Sequence, residues 1–436
     1  MITITKDTYI PSVDETLGIL RRHNSMMPQF FDYDKIHTYL AHCLMEAEKI
    51  RGPLFEFLKI LPSDEGSVES IFKSWLVRNG FGNAFDKTKD GISLSKNSVA
   101  KAVTSGLLSD EAKLILTAYQ KHSNYKKSAR TMMGLLQHPV CNAVSYDGHR
   151  MIIVVPTWAA QNTGRVAMRD PAVQNFPREF QDLATVPKGW TILHTDSGQI
   201  EPRVIYSVFI PDPQIQALIR LYNDAYFGVL HYVTMPSNLI LSGTTDFIKM
   251  ELTDDMKAMR KEIKTHQNAV MYGSTSNASN SKVKAALIER IGKHPMRQKW
   301  LMENDRILAT GTTIFKTAFG TPIDISKSQK LTSDMSDNEE AYELVKLAIN
   351  NPIQGTAADL MRVSVDEANH LLGRYAKRSY ILNYVHDAGT FAIHDDDYDK
   401  VADKLADIVS YNVEGWLPIT AEPHFGREAG WFEDYI

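Results

Sequence analysis

Apolar residues recur at helical spacing over residues 13–22 and 34–60, with Gly52-Pro53 expected to interrupt the second stretch. Two longer helical stretches are predicted within 66–135, flanking a polar loop from Asp86 to Ser95. The period then shortens. Met151-Ile152-Ile153-Val154-Val155 reads as a buried strand, and Trp190 to Thr195 reads as another that ends at Asp196. Gln199 to Val204 starts a helix, with Pro202 tolerated only in its first turn. Residues 214–259 read as mainly helical and lead into a helix over 260–273 that Gly273 stops. A polar loop, Ser274 to Ser281, precedes a basic helix carrying Lys282, Lys284, Arg290, Lys293, Arg297 and Lys299. Over 339–372 the pattern predicts a helix, a break at Pro352 and a second helix. Tyr380 to Val385 and Thr390 to Ile393 read as strands of a β-hairpin around His386 to Gly389, and Asp395-Asp396-Asp397 as the cap of the next helix.

The chain has 436 residues, 43% of them hydrophobic, which suffices for a large core spread over two to four domains or subdomains. A formal net charge of −4 decides nothing about nucleic acid, because a site that gathers carboxylates for metal can place its cations locally. Cys43 and Cys141, far apart, exclude a disulfide framework and fit a reducing compartment. No apolar run reaches 18 residues and the N-terminus lacks a signal-peptide core, so a soluble, cytoplasmic protein without a membrane partner is expected.

Arg260, Lys264, Asn268 and Tyr272 stand at steps of four and share one helix face, drifting by about 40° per step. Such a row of cations and an aromatic suits a nucleoside triphosphate, although a solvated amphipathic face has the same pattern. Asp196, at a strand end before a turn, can hold a hard cation or simply cap the following helix. Asp387 in its hairpin turn can likewise serve a cation or be only a turn residue. Polar loops at Asn162 to Arg165 and Asp170 to Pro177, and the amides around Pro352, can address a duplex minor groove. The loop with Lys87 and Lys89, and the basic run Lys121, His122, Lys126, Lys127 and Arg130, can meet a phosphate backbone or only water.

In order and wording these stretches resemble the polymerase domain of family A DNA polymerases, the bacterial DNA polymerase I type. The family's D-Y-S-Q-I-E-L-R reads here Asp196-Ser197-Gly198-Gln199-Ile200-Glu201-Pro202-Arg203. Its R-x3-K-x3-(F/Y)-x3-Y-G reads Arg260, Lys264, Asn268, Tyr272 and Gly273, and its V-H-D-E reads Val385-His386-Asp387-Ala388. Thr163-Gly164-Arg165, Asp170 to Pro177, Lys87 to Ser95, Asn350 to Leu360 and the terminal Gly430-Trp431 match further family stretches, so the likeness covers roughly residues 66–436.

The resemblance implies an α+β, right-hand polymerase fold with an antiparallel-sheet palm and helical thumb and fingers. The expected divisions are an N-terminal helical segment over 1–65, a thumb over 66–135, palm over 136–210 and 340–436, and fingers over 211–339. It implies a DNA-directed DNA polymerase, a nucleotidyltransferase of DNA replication that uses primer-template DNA and dNTPs. Two Mg²⁺ ions, with Mn²⁺ as a substitute, would be held by Asp196, Asp387 and the Ser197 carbonyl. Arg260 and Lys264 would grip the triphosphate, and Lys264 would protonate the leaving group. Tyr272, Asn268, Gln199 and Tyr226 would complete the nucleotide pocket, with Glu201 as the steric gate against a ribose 2′-OH. Arg165, Gln174, Asn175, Asn350, Gln354, His386, Lys87 and Lys89 would contact DNA.

The chain also departs from the pattern. Asn268 replaces an aromatic, Ala388 replaces the Glu of V-H-D-E, Ser197-Gly198 replaces Tyr-Ser, and Tyr226 stands where many members have a phosphate-contacting His. About 65 residues before the thumb are too few for a proofreading domain of roughly 150–200, so a separate exonuclease or processivity factor is an expected partner. Two other readings remain at this point: a single-subunit RNA polymerase, and a catalytically silent DNA-binding protein with a polymerase fold.

Overall fold

The computed structural model describes residues 1–59, 68–88, 91–95, 98–99, 102–103, 105–139, 141–146, 148–173, 183–234, 253–271, 281–332 and 335–426. The chain folds into two compact units, Phe31–Ile152 and Met1–Phe30 with Ile153–Ile436. It is α+β, as the sequence predicts.

The smaller unit is mainly helical, built from Tyr33–Leu58, Val68–Arg78 and Asp110–Gln137. Leu54, Phe55, Phe72, Leu76, Leu116 and Tyr119 fill its core. The Tyr33–Leu58 helix runs through Gly52-Pro53, where an interruption was expected. Lys87 is exposed, on a short strand pairing Lys87–Thr88 with Gly91–Ile92. Lys89 lies outside the described residues. In the basic run of the last helix, His122 is buried and belongs to the interior.

The larger unit is organised by a four-stranded antiparallel sheet in the order Tyr380–Val385, Ala388–His394, Trp190–Ser197, Ala421–Gly426. The alternation of side chains along Trp190–Ser197 decides its faces. Leu193 and Thr195 are fully buried, and the Thr195 hydroxyl donates to the Ala406 carbonyl at 2.7 Å; Asp196 lies on the opposite face. The second hairpin strand starts at Ala388, two residues before its predicted start, so the turn is only His386-Asp387. His386 takes φ 56°, in the left-handed region that a tight hairpin turn demands.

One helix, Asp337–Tyr375, spans 39 residues without the predicted break at Pro352. A proline lacks the N–H that would bond to the carbonyl four residues back, here that of Ala348. Asn304 supplies the donor instead: its Nδ2 donates to the Ala348 carbonyl oxygen at 3.3 Å. Over residues 351–365 only Gln354 escapes burial, so the run is chiefly structural. A Cβ on Gly355 would overlap Ile323 and lie 2.9 Å from Thr317. Thr356 takes the Ala318 N–H at 2.9 Å, and Asp359 forms a buried ion pair with Arg362. Arg362 in turn donates to the carbonyls of Pro11 (2.7 Å) and Gly164 (3.3 Å), which fixes the turn that carries Arg165.

The helices Pro213–Tyr222, Ala225–Thr234, Asp254–Met271 and Lys282–Leu287 share a second apolar core. Gly228 lets the first two close, since a Cβ there would stand 2.8 Å from the Ile219 backbone nitrogen. The basic helix expected after Ser281 is three pieces: Lys282–Leu287, a π-helical turn Ile288–Gly292, and Pro295–Ala309. Arg297 faces inward, donating to the carbonyls of Gly292 (2.7 Å) and Val270 (2.9 Å). Asp397 makes no side-chain cap bond; its carboxylate instead accepts from the Arg378 N–H and the Ser379 hydroxyl, each at 3.1 Å. No helix among the described residues is long and apolar enough to cross a membrane.

Candidate active site

Asp196 sits on an inner strand of the sheet, facing Ala388 on one neighbour and Glu422 on the other. Asp387 is the second residue of the hairpin turn beside it. The two loops are joined directly, since the Ser197 N–H donates to the Asp387 carbonyl at 2.8 Å. The Ser197 hydroxyl donates to the Val409 carbonyl at 2.8 Å, and the Gly198 N–H to the Thr420 carbonyl at 2.9 Å. A Cβ at Gly198 would stand 3.2 Å from that Thr420 oxygen, a physical reason for glycine at this departure from the family pattern.

The acidic pair is electrostatically strained. Burial raises the Asp196 carboxyl to about 7, with Asp387 and Glu422 adding to the rise and Lys264 opposing it. Burial also raises Asp387, opposed chiefly by Arg165. Asp196 Oδ1 is buried and accepts no hydrogen bond. An orphaned anionic oxygen beside a second carboxylate is the donor chemistry of a hard divalent cation. Among the described residues no group of three or more His, Cys, Asp or Glu side chains converges as a metal cage. Two carboxylates with one unpartnered oxygen fit Mg²⁺, which takes one or two carboxylates together with waters and substrate phosphates.

Glu201 lies one turn on, in the helix Ile200–Val204, and forms an ion pair with Arg165. Arg165, of which a direct DNA contact was expected, is paired here with the Glu201 carboxylate. Its charge also acts on His386, an exposed imidazole held below the ordinary range by partial burial first and Arg165 next.

The cationic face comes from the helix Asp254–Met271. Arg260 donates through Nε and Nη2 to Asp224 Oδ2, both at 2.7 Å. Lys264 is exposed, its ammonium 5.9 Å from the Tyr226 ring centroid; Arg260 lies 5.4 Å from the same ring. Tyr226 is buried, and burial raises its phenol to about 12, so it presents a neutral ring to both cations. Asn268 Oδ1 and Asn350 Oδ1 are buried without partners. Gln199, in the left-handed region at φ 59°, donates to Asp224 Oδ2 at 3.0 Å and accepts from the Ala225 N–H at 2.5 Å. Tyr272, Gln174 and Asn175, like the terminal Gly430-Trp431, lie outside the described residues.

Three residues of the site escaped the sequence reading. Asp224 had one signal, its place just before the apolar run 225–230 as a helix cap. Glu422 had none, because only strand pairing brings it opposite Asp196. Arg203 was visible as a motif letter but not in its role. It donates to the carbonyls of Gly198 (3.0 Å), Pro418 (2.6 Å) and Asn223 (2.9 Å), stitching the turn after Asp196 to two distant loops.

The family model for DNA polymerase family A matches residues 75–431. A DNA polymerase of Bacillus phage SP01 is 23% identical over 294 residues, covering 62% of this chain and 30% of that protein. Thermostable DNA polymerase I of Thermus filiformis is 26% identical over 289 residues (63% and 32%), and DNA polymerase I of Pseudomonas aeruginosa 20% over 344 (76% and 34%). The chain thus spans about a third of the length of these relatives. The polymerase domain of Pol1 from M. smegmatis, solved with DNA primer-template and dNTP, superimposes with a TM-score of 0.72 at 18% identity. That match covers 96% of this chain and 69% of the other. The sheet that presents Asp196 and Asp387 is thus part of a right-hand polymerase fold, and the chain belongs to DNA polymerase family A.

Proposed function

We propose that the chain is a template-directed DNA polymerase that adds dNTPs to a primer 3′-OH. The observation that carries this reading is the juxtaposition of Asp196 and Asp387, joined by the Ser197–Asp387 bond, with the charge of Lys264 acting on Asp196. Asp196, Asp387 and the Ser197 carbonyl would hold two Mg²⁺ ions, or Mn²⁺ in their place. When bound, these ions supply Lewis acidity for the attacking 3′-oxygen and charge neutralisation for the departing pyrophosphate.

The remaining work falls to the protein's own groups. Arg260 and Lys264 orient the triphosphate, and Lys264 delivers a proton to the leaving oxygen. Tyr226 keeps those two cations over a neutral surface. Glu201, fixed by Arg165, forms the wall beside the sugar where a 2′-OH would need space. Gln354, the one residue of its run that escapes burial, and the exposed His386 face the primer-template, with Asn350 nearby. The Pol1 domain of M. smegmatis was solved with primer-template DNA and dNTP, which supports these partners.

Primer extension tests the proposal. Incorporation of the dNTP complementary to each template base, dependent on Mg²⁺, is the expected result. Equal use of rNTPs would make the chain an RNA polymerase, and primer binding without extension would make it a silent DNA-binding protein.

A further inference from the structure

Asp224 does three things with one carboxylate. Its Oδ1 accepts from the Phe227 N–H at 2.7 Å, capping the helix Ala225–Thr234. Its Oδ2 accepts from Gln199 Nε2 at 3.0 Å and from Arg260 at 2.7 Å. The residue before it is held as well, because Arg203 Nη2 donates to the Asn223 carbonyl at 2.9 Å and to Asn223 Oδ1 at 3.1 Å. Gln199 and Arg203 both belong to the turn and helix that follow Asp196, so the carboxylate is fixed relative to the acidic pair. Arg260, on a separate helix, reaches over to it.

The guanidinium of Arg260 is thus already occupied by an anion of the protein. A planar guanidinium that donates two N–H groups to a carboxylate offers the same fork to a phosphate oxygen. Two anions cannot both take those donors, so nucleotide binding must displace Asp224 or share Arg260 with it. A carboxylate carries one charge and a triphosphate several, so the exchange favours the ligand with the higher charge density.

The geometry points to Asp224 as a positioning residue: it holds Arg260 in the nucleotide-free state and yields it, wholly or in part, to the incoming triphosphate. This rests on the reading of the chain as a DNA polymerase. The pair lowers the resting affinity for nucleotide and presets Arg260 over Tyr226, close to where the phosphates arrive. Removing the charge while keeping the cap therefore tightens nucleotide binding. The gain is about two- to fivefold, the range of a part-exposed ion pair. It does not raise the rate of the chemical step.

The test is Asp224→Asn, which keeps a cap oxygen for Phe227, with Asp224→Ser as a second capping variant. Calorimetry with dATP measures Kd for the protein alone, and primer extension measures kcat and KM. The expected result is a cooperative melt that shows the variants folded, a Kd and KM for dATP lowered about two- to fivefold, and no increase in kcat. In an Arg260→Ala background the same substitution changes Kd by less than its effect alone. An unchanged or raised Kd in folded variants, or a gain that persists without Arg260, overturns the proposal. Failure of the wild type to extend primers would instead overturn the polymerase reading, while the dATP Kd comparison would still judge the pair.

Discussion

The Ser197 N–H donates to the Asp387 carbonyl at 2.8 Å, so residues 190 positions apart in sequence sit on one rigid ledge. The bond joins the end of one strand to the turn of the neighbouring hairpin, and both carboxylates follow from it. Strand pairing on either side, Asp196 with Ala388 and with Glu422, leaves the ledge little freedom to shift.

Holding two carboxylates there costs stability whenever no cation is bound. Asp196 is raised in the folded state, to about 7. For a raised carboxyl, the stabilising contribution is complete below the ordinary Asp range and is lost as pH rises through the folded value. Metal-free protein should therefore lose stability between about pH 4 and pH 7 through this site. At pH 8 in chelator, Asp387→Asn should raise the melting temperature by roughly 1 °C, on the order of 1 kcal/mol, and in Mg²⁺ it should abolish extension. A lower melting temperature at pH 8 would contradict this.

Arg165 and Glu201 form a pair in which both side chains are mostly shielded from water. Arg165→Ala leaves the Glu201 carboxylate without its partner and free to swing. The expected outcome is slower dNTP incorporation and a preference for dNTP over rNTP reduced about tenfold, the scale of one positioned contact. Single-nucleotide incorporation with each sugar, at equal template occupancy, measures it; unchanged preference would mean that Glu201 holds its place unaided.

Asn304 answers for the missing N–H of Pro352. Asn304→Leu should destabilise the protein by about 1–3 kcal/mol, the cost of a buried carbonyl left without a donor. In a Pro352→Ala background the helix regains its own N–H, and the same substitution should cost less. Denaturant unfolding of the four proteins gives the coupling directly; equal costs in both backgrounds would remove Asn304 from this role.

Gly355 has no room for a side chain against Ile323 and Thr317. Gly355→Ala should cost about 1–3 kcal/mol as an overpacked site, despite the better helix propensity of alanine. Thermal melting decides the sign.

Much of this site was legible in the sequence because its signals are local. Asp196 at a strand end, the hairpin turn that carries Asp387 and the four-residue steps of Arg260 and Lys264 each follow from short-range patterning. What escaped depends on partners far along the chain. The expected break at Pro352 fails because a side chain 48 residues earlier supplies a donor. Arg297 was counted with the basic helix because its charge is visible in sequence and its carbonyl partners at Gly292 and Val270 are not. The same holds for Arg165 with Glu201 and for Asp224 with Arg260, whose pairing is set by tertiary packing.

The central claim is that Asp196 and Asp387 form the catalytic centre of DNA synthesis. The most direct measurement is incorporation of one dNTP opposite a defined template base, with Mg²⁺, by wild type and Asp387→Ala at matched primer-template occupancy. Template-directed incorporation by the wild type, lost by on the order of a thousandfold or more in the variant, is the predicted result. Equal incorporation by both proteins would contradict it.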